Sequence, residues 1–288
     1  MASKRTPPDP NATKYLLFVD TNIWLDFYRL EASEKMLGAL PLLAHAHDRL
    51  ISTAQVQMEF MKNRQNVILL ALEKFKSGDD VRVPPVIADA QAARSMRSAK
   101  RAMDERRKLL KQRVERILLD PARNDPVFKA LQTLFIQPTP LVLGRENDRR
   151  FAIRRLARKR WMLGYPPRKD DDLSIGDAIN WEWVVESAIQ GGGHVIIVSR
   201  DKDYGRILDG HGYLNDWLQK EYRERVGRRS KIVLTNAIGS ALNLMDVKVP
   251  PEVVKAEQDL ILDLPATMPI SASVGAVSSL TGTIADLL

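Results

Sequence analysis

"KYLLFVDTNIWLDFYR", Lys14–Arg29, runs from the apolar stretch Tyr15–Val19 straight into Asp20-Thr21-Asn22 and then into an apolar-periodic segment. A short apolar run bounded by polar breakers reads as a strand buried on both faces. The periodic segment predicts a helix over 22–31. Asp, Thr and Asn are all favoured where a helix begins, so Asp20 has an immediate structural explanation as a cap. A carboxylate at the carboxyl end of a buried strand also has a chemical one, which depends on what else the chain brings there.

The same grammar recurs. "RLIST" at 49–53, "HVIIVS" at 194–199 and "KIVLTN" at 231–236 are further apolar strands. Helical patterns occupy 35–47, 54–75, 88–118, 126–135, 145–160 and 174–190, the last closed by the glycines at 191–193. Apolar strands alternating with helices predict an α/β fold with an open, mainly parallel sheet of about five strands and helices on both faces. Residues 1–13 read as a flexible arm. Residues 14–75 and 146–240 form the expected core of a domain spanning 14–240. Residues 76–145, opened by the breaker-rich "SGDDVRVPPVIADA" and dominated by a basic helix, read as an inserted helical module. Residues 241–288 read as a partly disordered C-terminal extension, with a Ser/Thr/Gly/Ala-rich tail from Ala266. No internal repeat is present.

Composition narrows the chemistry. The 288 residues carry 44 Lys and Arg against 36 Asp and Glu, a net charge of +8, which favours a polyanionic partner. The absence of cysteine excludes disulfides, thiolate metal sites and Cys nucleophiles. His45, His47, His194 and His211 show no metal-ligand spacing. "MASKRTPPDPNATK" has no apolar signal core and no apolar run reaches membrane-span length, so a cytoplasmic location is expected.

In open parallel sheets, ligands bind outside the carboxyl ends of the strands. Asp20 follows the first strand. Asp201 and Asp203, within "RDKD", follow the 194–199 strand. Asp177 opens the helix leading into that strand, and Glu59 lies early in the helix after "RLIST". Each has a structural reading taken singly: a helix dipole for Asp20 and Asp177, a solvated surface for Glu59, a turn for Asp203. Carboxylates that converge on one edge repel unless a cation sits among them, and hard oxygen donors select Mg²⁺ or Mn²⁺. If extended geometry persists past Ser199, Asp201 and Asp203 face the same side of the sheet.

"FVDTNIWLD", Glu59, "GDAINW" and "VIIVSRDKDYG", in that order, resemble the PIN-domain nucleases. "GYPPRKDDDLSIGDAINW" further resembles the larger PIN-like proteins. The similarity covers 14–75 and 150–238. It departs from compact relatives in the long interval between Glu59 and Asp177 and in residues beyond about 240. The resemblance implies metal-dependent hydrolysis of phosphodiester bonds in RNA or single-stranded nucleic acid, with a toxin-like or defence role as its context and an inhibitory protein as a partner. It assigns metal ligation to Asp20, Glu59, Asp177 and Asp201, adds Asp203 as a fifth acid, and makes Asn22 and Ser199 orienting groups.

Cations near such a site would hold substrate phosphates. Lys169, Arg200 and Lys202 are candidates beside it, and Arg106, Arg107 and Lys111 on the basic 94–116 stretch. The alternative is a solvated loop for Lys169 and a solvated helix face laced with i,i+4 pairs for Arg106, Arg107 and Lys111. Two further functions fit the same fold: a catalytically silent nucleic-acid binder, and a homo-oligomeric scaffold in which 88–118 pairs as an antiparallel hairpin. The acid set disfavours the first, since a binder of polyanions gains nothing from carboxylates in its pocket.

Overall fold

The computed structural model describes residues 14–29, 31–76, 83–168 and 174–264. The N-terminal arm, Lys169 and the tail from Ala266 lie outside these residues. The elements of the first half are β1 (Leu16–Val19), α1 (Thr21–Asp26), α2 (Ala39–His45), β2 (Leu50–Thr53), α3 (Ala54–Lys76), α4 (Gln91–Leu119), α5 (Pro121–Asn124) and α6 (Pro126–Ile136). Those of the second half are β3 (Val142–Leu143), α7 (Arg149–Met162), α8 (Gly176–Gln190), β4 (His194–Val198), β5 (Gly205–Leu208), β6 (His211–Leu214), α9 (Asp216–Arg225), β7 (Lys231–Thr235), α10 (Ile238–Leu244) and α11 (Pro251–Asp263).

Five strands form one sheet in the order β3-β2-β1-β4-β7, every neighbour parallel. The chain first moves outward from β1 through β2 to β3, then crosses back to place β4 on the other side of β1. Strand order therefore reverses between β1 and β4, and the crevice at the carboxyl ends of these two strands is where such sheets bind ligands. β1 is buried along its whole length, as is β4 after His194. That burial on both faces is why their sequences are continuously apolar instead of alternating.

Residues from the expected insertion and extension contribute to the main core. α6 buries Val127, Leu131 and Leu134 in the main core, and β3 completes the sheet, although both fall within 76–145. α4 is the projecting part: Ala93 is its only buried residue. Its C-terminal end is anchored by Arg64 of α3, whose Nη2 donates to the Ile117 carbonyl at 2.8 Å and ion-pairs with buried Asp125 at 2.6 Å. Beyond 240, α10 contributes Ala241 and Leu242 to the core, and Glu257 of α11 accepts from the Ile238 and Gly239 amides at 2.6 and 2.8 Å. This carboxylate caps the orphan donors at the start of α10.

Candidate active site

Asp20 leaves β1 and caps α1, as its residue type suggests: Oδ1 accepts from the Thr21 amide at 2.7 Å. Its other oxygen is held for a different purpose. Oδ2 accepts from Asn22 Nδ2 at 2.8 Å and from the Ser199 hydroxyl at 2.5 Å. The side chain is only 4% exposed. Burial, reinforced by the charges of Asp201 and Glu59, raises its pKa to about 6 against the hydrogen bonds from Ser199 and Thr21. A cap needs neither this burial nor two carboxylate neighbours.

The other acids arrive from three directions. Glu59 stands in the second turn of α3, accepting from Thr21 Oγ1 at 3.0 Å and from Gln55 Nε2 at 2.7 Å. The start of α8 closes against it: a Cβ on Gly176 would come within 2.4 Å of Glu59 Oε1 and 2.7 Å of Gln55 Nε2. The absence of a side chain at Gly176 is what lets the next residue, Asp177, approach. Carboxylate oxygens of Asp177, Asp201 and Asp203 all lie within 4.8 Å of one another.

Asp201 and Asp203 meet through a turn and not along an extended strand. Extended geometry does not persist past Ser199. The Asp203 amide donates to Asp201 Oδ1 at 3.1 Å, an Asx turn, and the Tyr204 amide closes on the Asp201 carbonyl at 3.3 Å. The turn brings the two carboxylates together. Ser199 Oγ also accepts from the Asp201 amide at 3.0 Å, so one hydroxyl fixes both Asp20 and the segment bearing Asp201. Asn22 contributes twice: Nδ2 to Asp20, and Oδ1 accepting from the Arg200 amide at 3.5 Å.

Sequence reading missed Tyr204. Its side chain is completely buried, and among the described residues its hydroxyl has no hydrogen-bond partner. Burial raises its pKa well above the ordinary value, and the charges of Asp177, Asp20, Asp201 and Glu59 push in the same direction. An aromatic residue directly after Asp203 was the available signal.

The expected cations are dispersed. Arg200 turns inward, where its guanidinium ion-pairs with buried Asp26, and burial lowers its pKa to about 10. It braces α1 against the β4 loop. Lys202 is exposed beside the acids. Arg106 and Lys111 are exposed, and half-buried Arg107 pairs with Asp104 at 3.6 Å. Counting back from Ile117, Lys111 and Arg106 stand about 9 and 16 Å along the α4 axis, on its projecting part. Gln55 lines a small cleft together with Arg145, Arg150 and Arg154, so this side of the acids meets basic residues of α7 and its approach. Trp181 and Trp183 are core residues, with Trp183 Nε1 donating to the Leu141 carbonyl at 2.8 Å.

The donor set suits a hard divalent cation. Every ligand candidate is a carboxylate oxygen, and Asp20, whose pKa is raised chiefly by burial, also feels the negative charges of Asp201 and Glu59, which a cation relieves. Among the described residues, no helix is long and apolar enough to cross a membrane. No curated protein and no solved structure matches the chain. The sequence profile of the PIN domain does match, over residues 17–204, from β1 through Tyr204. That interval contains all five acids and both side chains that orient Asp20, and the chain belongs to the PIN-domain family.

Proposed function

We propose that this protein is a metal-dependent nuclease that hydrolyses phosphodiester bonds in RNA or another single-stranded nucleic acid. One observation carries the reading: acids from the ends of β1 and β4, from the second turn of α3 and from the first turn of α8 converge at the point where strand order reverses. Structural caps have no reason to converge, and mutual repulsion opposes it.

In this reading Asp20, Glu59, Asp177, Asp201 and Asp203 hold Mg²⁺ or Mn²⁺. Such an ion, when bound, neutralises phosphate charge and makes a water acidic enough to attack phosphorus. The chain's own residues set the geometry. Ser199 and Asn22 fix the rotamer of Asp20, Thr21 and Gln55 fix Glu59, and the Asx turn fixes Asp201 relative to Asp203. Groups that orient ligands in this way govern affinity nearly as strongly as the ligands. Lys202 beside the acids, the α7 arginines and Arg106, Arg107 and Lys111 on α4 supply phosphate contacts without base specificity.

The test is cleavage of a panel of RNA, single-stranded DNA and duplex DNA with Mn²⁺ or with chelator. Metal-dependent cleavage of the single strands supports the reading. A protein that binds the panel but cleaves nothing is the silent binder instead. Arg106→Gln, Arg107→Gln and Lys111→Gln together should weaken binding to all sequences alike and flatten its salt dependence.

A further inference from the structure

Tyr165 and Trp217 lie against one another at the surface with their rings tilted. Their ring centroids are 4.9 Å apart at an interplanar angle of 36°, yet they remain 38% and 42% exposed. By contrast Trp24, Trp181 and Trp183 are buried. Lys220 Nζ lies 5.6 Å from the Trp217 ring centroid. An open aromatic face with a cation beside it is the combination by which proteins hold single-stranded nucleic acid.

The fold sets this pair beside the acids. α8 and α9 lead into the parallel strands β4 and β7, so both helices begin at the carboxyl edge of the sheet. They are pinned together where Trp181 Nε1 donates to Glu221 Oε2 at 3.2 Å and the rings of Trp181 and Tyr222 lie 6.3 Å apart. One turn back from that level stand Asp177 on α8 and Trp217 on α9, at the same end of two neighbouring helices. Asn215 fixes the connection to the acid loop. Its amide donates to the Tyr204 carbonyl at 2.8 Å while its Oδ1 accepts from the Trp217 amide at 3.0 Å. Tyr165 reaches the pair from the connection between α7 and α8, its amide donating to the Arg160 carbonyl at 3.1 Å. Arg160 in turn ion-pairs with Glu182 of α8 and Glu221 of α9.

We propose that Tyr165 and Trp217 form a stacking platform for an unpaired base of the strand whose backbone lies at the acid cluster. The inference rests on the nuclease reading for the backbone and adds the residues that distinguish unpaired bases from bare phosphate or duplex. In a duplex the base faces are already stacked on their neighbours, whereas a single strand can turn one onto the rings.

The test uses the full chain in chelator, where no cleavage competes. The probes are a short single-stranded RNA, an abasic sugar-phosphate strand of equal length and the RNA as a duplex. Binding is followed by strand anisotropy and by emission of exposed Trp217. The single strand should quench emission and bind about tenfold or more tighter than the abasic strand. Trp217→Ala should lose that margin and leave abasic binding unchanged, while Trp217→Phe keeps most of it. If the alanine variant fails to fold, Trp217→Leu, which preserves apolar bulk, should show the same loss. Equal binding of RNA and abasic strands by the wild type, or full RNA affinity in a folded Trp217→Ala or Trp217→Leu, overturns the platform. Base-dependent binding without any Mn²⁺-dependent cleavage overturns the nuclease reading and leaves the platform standing. Cleavage with base-independent binding does the reverse.

Discussion

The hydroxyl of Ser199 donates to Oδ2 of Asp20 at 2.5 Å, joining two residues 179 apart in the chain. β1 and β4 are hydrogen-bonded neighbours, so the residues just beyond both strands meet at one point. This contact ties the ends of the two strands that flank the crevice.

Ser199→Ala removes a donor to a buried carboxylate and an acceptor for the Asp201 amide. Because the lost bond lowers the Asp20 pKa, that pKa should rise further above about 6. Mn²⁺ affinity should fall about 10- to 100-fold, and Ser199→Thr should retain most of it. Calorimetric titration with Mn²⁺ measures both, and wild-type affinity in the alanine variant would contradict the role.

Asp20→Asn separates the metal role from the structural one. A pKa raised from 3.8 to about 6 means that the native state binds this proton more tightly than the unfolded chain. Its contribution to stability is therefore greatest below 3.8 and declines as pH rises through 6. At neutral pH the ionised side chain costs about 3 kcal/mol. Without metal, Asp20→Asn should melt above the wild type at pH 7 and lose that advantage near pH 4. Mn²⁺ should raise the melting temperature of the wild type and not of the variant. A variant destabilised at pH 7 in chelator would show that Asp20 is only a cap.

Much of this was legible in the residues, and what was not has physical reasons. Continuous apolar runs announced β1, β2, β4 and β7, because strands covered on both faces have no polar face to display. The acids were legible for the same reason: topology assigns the carboxyl edge once strands are known. β3 escaped because two residues inside "QPTPLVLG" carry no periodicity at all. The hairpin β5–β6 escaped although its signal was present. Asp209-Gly210 joins the strands with φ of 49° and 77°, the left-handed pair that an Asp-Gly turn supplies. The direction of Arg200 was not legible, because adjacency in sequence does not give it: Ser199 bonds Asp20, and Arg200 pairs with Asp26.

Asp201 and Asp203 should differ in weight. Asp201 is fixed by Ser199 through its amide and itself accepts from the Asp203 amide, so its loss also releases the turn. Asp201→Ala should reduce activity by orders of magnitude. Asp203→Ala should cost less and respond more to raised Mn²⁺. The reverse order, measured under equal metal, would move the principal ligand two residues along the chain.

Arg64 tests the architecture instead of the site. Arg64 and Asp125 are 3% and 1% exposed, and Asp125 also accepts from Tyr28 Oη at 2.7 Å and caps α6. Arg64→Leu strands a buried carboxylate and should destabilise the fold by about 3–5 kcal/mol. Adding Asp125→Asn should recover part of the loss, as read by denaturant melts. A neutral single substitution would mean that α4 and α6 are held by other contacts.

The most direct test of the central claim is cleavage of a labelled single-stranded RNA by the wild type and by Asp177→Asn, each with Mn²⁺ and with chelator. The acid cluster predicts cleavage by the wild type with Mn²⁺ and in none of the other three combinations, each of which lacks the ion or the carboxylate. Cleavage that survives in chelator, or that Asp177→Asn performs at the wild-type rate, would contradict it.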